Sequence, residues 1–357
     1  MTNTSVIIAG GGLSGCLVAH ALTTQGIDYL LIDARNRLGG RILSPVLSDN
    51  SPAAVDMGPS WFWPHQRGLI SVIQAFGLGD TVYEQSHAGD SVIEYASGQL
   101  ERRAGAVSMA GSYRLDGGMH ALIERIQTTL PADSIRLNTS LTSINTQKQS
   151  AIATLQTPHA SESVSCQTVV LAMPPRVFAD TVDWPAIDDH ARHSCKSVAT
   201  WMATEAKITL IYADAFWLSQ GLSGDAMSQI GPLGEVHDAT PRGSTQGALF
   251  GFVSTRAPHR INNEESLKQM AVEQIQRMFN TTQTPTQILL KDWTTDKLTA
   301  TDADVAGQRA HPSGAALKPL MPEGVIWAGS ETALEDAGYL EGAVHAANAA
   351  IQQILQR

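Results

Sequence analysis

Three glycines and one acid stand out among the residues whose type and spacing can do chemistry. Gly10, Gly12 and Gly15 form a Gly-x-Gly-x-x-Gly pattern directly after the apolar run Ser5-Val6-Ile7-Ile8-Ala9. Helical spacing follows (Leu17, Val18, Ala21, Leu22), then an apolar strand, Tyr29 to Ile32, that ends in Asp33. Strand, turn, helix, strand and acid within about 30 residues is the context in which such a motif binds a dinucleotide. Gly10 permits a tight turn, Gly12 lets backbone approach a pyrophosphate, and Gly15 lets the helix pack closely on the strand. The helix start, at Leu13 and Ser14, offers free N–H groups and a positive dipole end to phosphate. Asp33, with Ala34 and Arg35 beside it, lies at the distance from the glycines where an acid bonds a ribose hydroxyl. By itself this unit admits NAD or FAD, and also a purely structural βαβ unit whose turn holds nothing.

Composition narrows the class. The 357 residues are 43% hydrophobic and 16% charged, enough for a large core and two or three domains. A net charge of −10 speaks against nucleic acid and against anionic membrane surfaces. Cys16, Cys166 and Cys195 lie far apart with no Cys-x-x-Cys pair, so neither a disulfide framework nor a metal site is expected. A reduced, cytoplasmic setting is the simple reading. The chain enters a strand almost at once with no secretory pattern, and no apolar run reaches membrane-spanning length.

The elements that must position these residues follow from periodicity and punctuation. A helix is expected over Gly68 to Phe76, and a small sheet over residues 80 to 112. A helix runs from Asp116-Gly117-Gly118 to Leu130, and short strands cover Ile135 to Leu137 and Leu141 to Ile144. A hairpin turns at Pro158. Val169-Val170-Leu171-Ala172, stopped by Pro174-Pro175, is apolar throughout and suits a central strand in the same sheet as the opening unit. Strands are expected at Ala206 to Tyr212, Ala248 to Ser254, Gln287 to Trp293 and Val325 to Gly329. Helices are expected at Glu264 to Phe279 and Gly342 to Leu355. Gly221 to Gly247 reads as loops and hairpins, Thr294 to Gly314 as a long functional loop, and a Pro-, Asp- and Ser-containing loop follows residue 45.

Further strings then align in order: Asp33-Ala34-Arg35-Asn36-Arg37-Leu38-Gly39-Gly40-Arg41, Asp56-x-Gly58, Ala328-Gly329-Ser330-Glu331-Thr332 and Gly338-Tyr339-Leu340-Glu341-Gly342-Ala343. Together they resemble the FAD-dependent amine oxidases, a family that includes monoamine, polyamine and L-amino-acid oxidases. The resemblance runs over most of the chain. It implies an α/β fold in which a doubly wound, Rossmann-like FAD-binding domain (1–79, 115–190, 320–357) carries an inserted, mostly antiparallel α+β substrate domain (80–114, 191–319).

The resemblance also implies site roles. Gly39, Gly40 and Arg41 lie against the pyrophosphate and flavin edge; Gly58, Pro59, Ser60 and Trp61 lie beside the isoalloxazine. Leu141 holds the adenine through its backbone, and Gly329, Ser330 and Glu331 meet the ribityl or ribose region. Leu340 meets the flavin pyrimidine at a helix start. Lys207 matches the lysine that reaches flavin N5 through water, Tyr339 one wall of an aromatic cage for the amine, and Trp293 a tryptophan near the flavin. From the residues alone, Lys207 also reads as an edge lysine, and Tyr339 and Trp293 as ordinary packing.

Two departures bear on the substrate. Residues 301 to 308 contain no aromatic that could form a second cage wall, and residues 294 to 310 contain no cysteine for a covalent flavin. FAD is therefore expected to be bound non-covalently. The cluster Trp61, Phe62, Trp63 and His65 reads either as a local aromatic wall or as a buried staple. The expected activity is oxidation of a small amine at its C–N bond, with O2 as acceptor and H2O2 as product. The alternatives are a renalase-like oxidase of dihydronicotinamides or a desaturase on the same frame, and a flavin-binding protein without turnover. The sequence does not fix the oligomeric state.

Overall fold

The computed structural model describes residues 2–47, 53–105, 108–148, 150–307 and 310–357. The loop expected after residue 45 falls largely at 48–52, outside the described residues.

Five parallel strands form the first sheet, in the order Val325–Trp327, Thr168–Leu171, Val6–Ala9, Tyr29–Ile32, Ile135–Arg136. The three inner strands are buried at every position, which is why they read as unbroken apolar runs. Helices Leu13–Gln25, His120–Gln127 and Leu340–Leu355 share one core with one face of this sheet. The other face is covered by a sheet of four strands, which includes the hairpin Ala151–Gln156 and Ser161–Cys166, and by helices Pro175–Thr181 and Asp189–Ser197. Pro175, read in the sequence only as a strand stop, also begins a helix, because its missing N–H is no loss at the first helical position.

A second large sheet has seven strands in the order Gln287–Asp292, Ala206–Tyr212, Gly247–Val253, Leu233–Asp238, Leu222–Ser228, Asp90–Glu94, Leu100–Ala104. All its pairings are antiparallel except the one between Leu222–Ser228 and Asp90–Glu94. Helix Glu264–Met278 packs on its back face through Leu267, Ala271 and Ile275. The Gly- and Ser-rich stretch read as loops and hairpins thus supplies two strands of this sheet. The small sheet expected over 80 to 112 divides: Val82–Glu84 pairs with Tyr113–Leu115, while the next two strands join the large sheet. The long loop after Trp293 holds a short helix, Asp302–Ala306, closed by a capping box between Thr301 and Asp304.

Candidate active site

One cavity of about 830 Å³ runs between the two large sheets. Its first end is built almost wholly from backbone. Gly10 sits at φ +114°, and a Cβ there would lie 2.3 Å from the Ala172 carbonyl oxygen; a Cβ on Gly15 would lie 1.9 Å from the Gly10 carbonyl oxygen. A Cβ on Gly12 would meet nothing within 4 Å, because that position opens onto the cavity. Gly12 caps helix Leu13–Gln25 with no side-chain hydrogen bond, and the first helical turn holds no acid. The first N–H groups therefore remain available to an anionic ligand. Ser14 spends its hydroxyl elsewhere, donating to the Ala328 carbonyl at 2.5 Å and tying the helix to the last strand of the sheet.

Asp33 is buried, and its carboxylate accepts the Gly11 and Arg35 N–H groups at 2.8 and 2.7 Å. Those bonds fix it at the cavity wall while leaving lone pairs for a hydroxyl. Arg35 reaches away to Asp296 and Thr299, holding the loop after Trp293 against the cradle. Arg37 donates to the carbonyls of Leu38, Gly40 and Ile42 and so braces the Gly39-Gly40 turn, whose φ angles are +104° and +57°.

Arg41 ion-pairs with Glu331 at 2.7 Å and also donates to the Ser330 hydroxyl and the Trp201 carbonyl. Glu331 is wholly buried. Farther along, Glu341 accepts the Gly68 and Leu69 N–H groups and caps helix Arg67–Ala75 from the start of another helix.

The second end is built from side chains. Lys207 points from its strand into the cavity and is buried; its ammonium donates to the Gly58 carbonyl at 2.6 Å and the Ser60 hydroxyl at 2.8 Å. The rings of Phe250, Phe252 and Trp61 lie 4.4, 5.1 and 5.6 Å from it. Burial pulls its pKa down from 10.5 to about 7; the nearby Asp56 works against that fall and Arg114 adds to it. Asp56 is itself buried, which pushes its pKa up, and its Oδ2 has no hydrogen-bond partner. Trp293 donates its ring N–H to the Met57 carbonyl at 3.0 Å. Tyr339 stands at the mouth beside Trp201, ring centroids 5.2 Å apart, and His311 stacks on Trp201 at 4.2 Å.

Every residue singled out in the sequence for cofactor or catalysis lines this cavity, except Gly15, which supports the cradle from behind. The aromatic cluster divides: Trp61 and Trp63 line the cavity, Phe62 is core, and His65 is exposed. Sequence reasoning missed Trp201, Glu205, Glu235 and Phe252 on the wall. Strand register brings Glu235 and Phe252 there, Trp201 and Glu205 lie in the turn that leads into strand Ala206–Tyr212, and no local motif marks any of the four.

A glycine cradle joined through one cavity to a pocket with an internal lysine fits a flavoprotein oxidoreductase. Family comparison agrees. The model for flavin-containing amine oxidoreductases matches residues 101–355, and that for an NAD(P)-binding Rossmann-like domain matches residues 8–76. Putrescine oxidase of Kocuria rosea is 22% identical over 98% of this chain and 95% of its own length. Amine oxidase A of Sus scrofa is 20% identical over 98% and 84%. Among solved structures, a putrescine oxidase bound to putrescine superposes with a TM-score of 0.83 at 20% identity, covering 99% of each chain. Cyclohexylamine oxidase from Brevibacterium oxydans gives 0.81 at 18%, covering 99% of this chain and all of the other. The chain belongs to the flavin-containing amine oxidoreductase family. It is an FAD-dependent oxidoreductase of amines. Among the described residues, no helix is long and apolar enough to cross a membrane, and no His, Cys, Asp and Glu cluster could hold a metal.

Proposed function

We propose that this enzyme oxidises the C–N bond of a small primary amine, consuming O2 and water and releasing aldehyde, ammonia and H2O2. The observation that carries this reading is the continuity of the cavity from the Gly12–Asp33 cradle to Lys207 and Tyr339. Bound there, FAD supplies the two-electron acceptor for the hydride lost from the amine α-carbon.

The chain's own residues do the rest. Gly10, Gly12, Leu13 and Ser14 hold the pyrophosphate by backbone; Asp33, with Ala34 and Arg35, holds the adenosine ribose, and Leu141 lies beside the adenine. Gly39, Gly40 and Arg41 support the pyrophosphate and flavin edge. Gly329, Ser330 and Glu331 take the ribityl region, and Gly58, Pro59, Ser60 and Trp61 back the ring system. Leu340, at an uncapped helix start, offers its N–H where negative charge develops. Lys207 holds a proton beside the ring system and positions water, and Tyr339 orients the amine with its ring face. Trp293 fixes the Met57–Gly58 turn beneath them.

No cysteine lines the cavity: Cys16, Cys166 and Cys195 are buried elsewhere, and burial raises all three thiol pKa values. This supports non-covalent FAD and is in keeping with a cytoplasmic setting. The domain division at 79/80, 114/115, 190/191 and 319/320 belongs to the same proposal. Purified enzyme given an amine in air should yield H2O2 and aldehyde in equal amounts, and acid precipitation should leave the flavin in the supernatant. Peroxide from reduced nicotinamide but from no amine would overturn the assignment.

A further inference from the structure

The stretch that follows Trp293, residues 294 to 306, leaves the seven-stranded sheet and runs to the short helix Asp302–Ala306. On its way Leu298 and Thr299 line the cavity together with Asp33, Ala34 and Arg35. A long connection in a compact molecule commonly carries function, and the mechanism above makes no use of this one.

Two ion pairs fasten the stretch to the parallel-sheet half. Near its start, Arg35 donates to Asp296 at 2.9 Å and to the Thr299 hydroxyl at 3.0 Å. Near its end, Arg176 of helix Pro175–Thr181 meets Asp304 at 2.5 Å. Both arginines belong to the half that carries the glycine cradle, and both acids to the stretch that comes from the other sheet. All four side chains are mostly buried. Parting such a pair leaves each charge unpaired in a poorly solvated place, which exposed pairs avoid.

Asp296 is the centre of the first fastening. Its second carboxylate oxygen meets Lys291 at 3.1 Å, and Lys291 lies over the Trp293 ring at 4.4 Å. Burial works against a charged Asp296, but Arg35 and Lys291 outweigh it and hold its pKa below the ordinary value. Its carboxylate also accepts the Leu298 N–H at 3.1 Å, and its carbonyl accepts the Thr299 and Ala300 N–H groups, each at 2.8 Å. One residue thus folds the turn that carries Leu298 and Thr299 and ties that turn to Arg35. Arg35 in its turn gives its backbone N–H to Asp33 at 2.7 Å.

We propose that the turn from Asp296 to Ala300 is the outer wall of the adenosine end of the FAD site, with Leu298 and Thr299 against the cofactor and Asp296 as the positioning residue that holds them there through Arg35. FAD leaves only when this pairing opens, so the half of the molecule that presents Lys207 also governs how long the cofactor stays. The inference rests on the placement of FAD proposed above.

The test is the rate of FAD release from the loaded enzyme, read as free flavin in timed filtrates. Asp296→Asn keeps the shape of the side chain and loses its charge; with one charge-assisted bond gone, release should quicken about tenfold. Arg35→Met should act likewise, and the double variant should release no faster than either single one, because both remove the same pairing. Asp296→Glu, which keeps the charge, should release more slowly than Asp296→Asn. Release from Asp296→Asn at the wild-type rate, or single effects that add in the double variant, would overturn the proposal. Asp33→Asn separates the inference from the placement beneath it. Faster release in Asp33→Asn with none in Asp296→Asn defeats the wall and keeps the placement. Unchanged release in Asp33→Asn defeats the placement, and the wall with it.

Discussion

The two ends of the cavity are made of different materials. The parallel-sheet end presents backbone: glycines without Cβ, an uncapped helix start and an acid fixed by two N–H groups. The antiparallel end presents side chains set in a row across strands: Lys207, Phe252 and Glu235, with Trp61 packed against Phe252. A backbone cradle needs particular residues at particular spacings along one short stretch. A side-chain wall needs only that distant strands pair in the right register. On the proposed reading the first holds the cofactor, and the second leaves room for the substrate to vary.

Two glycines of one motif break this comparison most sharply. Gly15→Ala forces a Cβ to within 1.9 Å of the Gly10 carbonyl oxygen, a clash between backbones that no side-chain rotation relieves. We expect destabilisation of about 3 kcal/mol or more, read as a lowered melting temperature of the apoprotein. Gly12→Ala meets no protein atom, and its φ of −71° suits alanine. The apoprotein should melt within about 0.5 kcal/mol of wild type while FAD affinity falls by about a hundredfold, measured by flavin retention on dialysis. Loss of apoprotein stability in Gly12→Ala would mean that the turn is structural and the cradle misread.

The side-chain end gives smaller, graded effects. Lys207 is charged below about pH 7 and neutral above it, since burial disfavours its ammonium. Flavin reoxidation should therefore slow as pH rises through about 7. Lys207→Met should remove that pH step and slow reoxidation by about a hundredfold, the usual loss for one preorganised charged donor, while FAD stays bound. A pH step that survives in Lys207→Met would assign it to another group. At the mouth, Tyr339→Ala should raise KM by about tenfold, and Tyr339→Phe by about threefold or less, because the ring face rather than the hydroxyl attracts the amine. An equal loss in both variants would shift the role to the hydroxyl.

The same contrast explains what the sequence made legible. The strands Val6–Ala9 and Tyr29–Ile32, helix Leu13–Gln25 and the glycine cradle follow from local pattern, because each residue's neighbours in space are also its neighbours in the chain. Lys207 and Tyr339 were found through resemblance, and the structure brings both to one cavity. Glu235 was invisible: it lies in a Gly- and Ser-rich stretch that reads as loop, and only pairing with Phe252 turns it toward Lys207. Trp201 was missed for a related reason. Its backbone is held by Arg41 and Glu331, far away in sequence, and a Cβ on Gly338 would collide with it at 2.3 Å. Helix Asp302–Ala306 depends on a capping box too short to register as periodicity.

Anaerobic reduction of the bound flavin tests the central claim most directly. The oxidised enzyme is mixed without O2 with a primary amine, or separately with NADH, and the flavin absorbance is followed. The account predicts that the amine bleaches the flavin within the time of turnover, that NADH does so far more slowly, and that admitting O2 restores the spectrum with release of H2O2. Rapid bleaching by NADH, with no amine able to reduce the flavin, would contradict it.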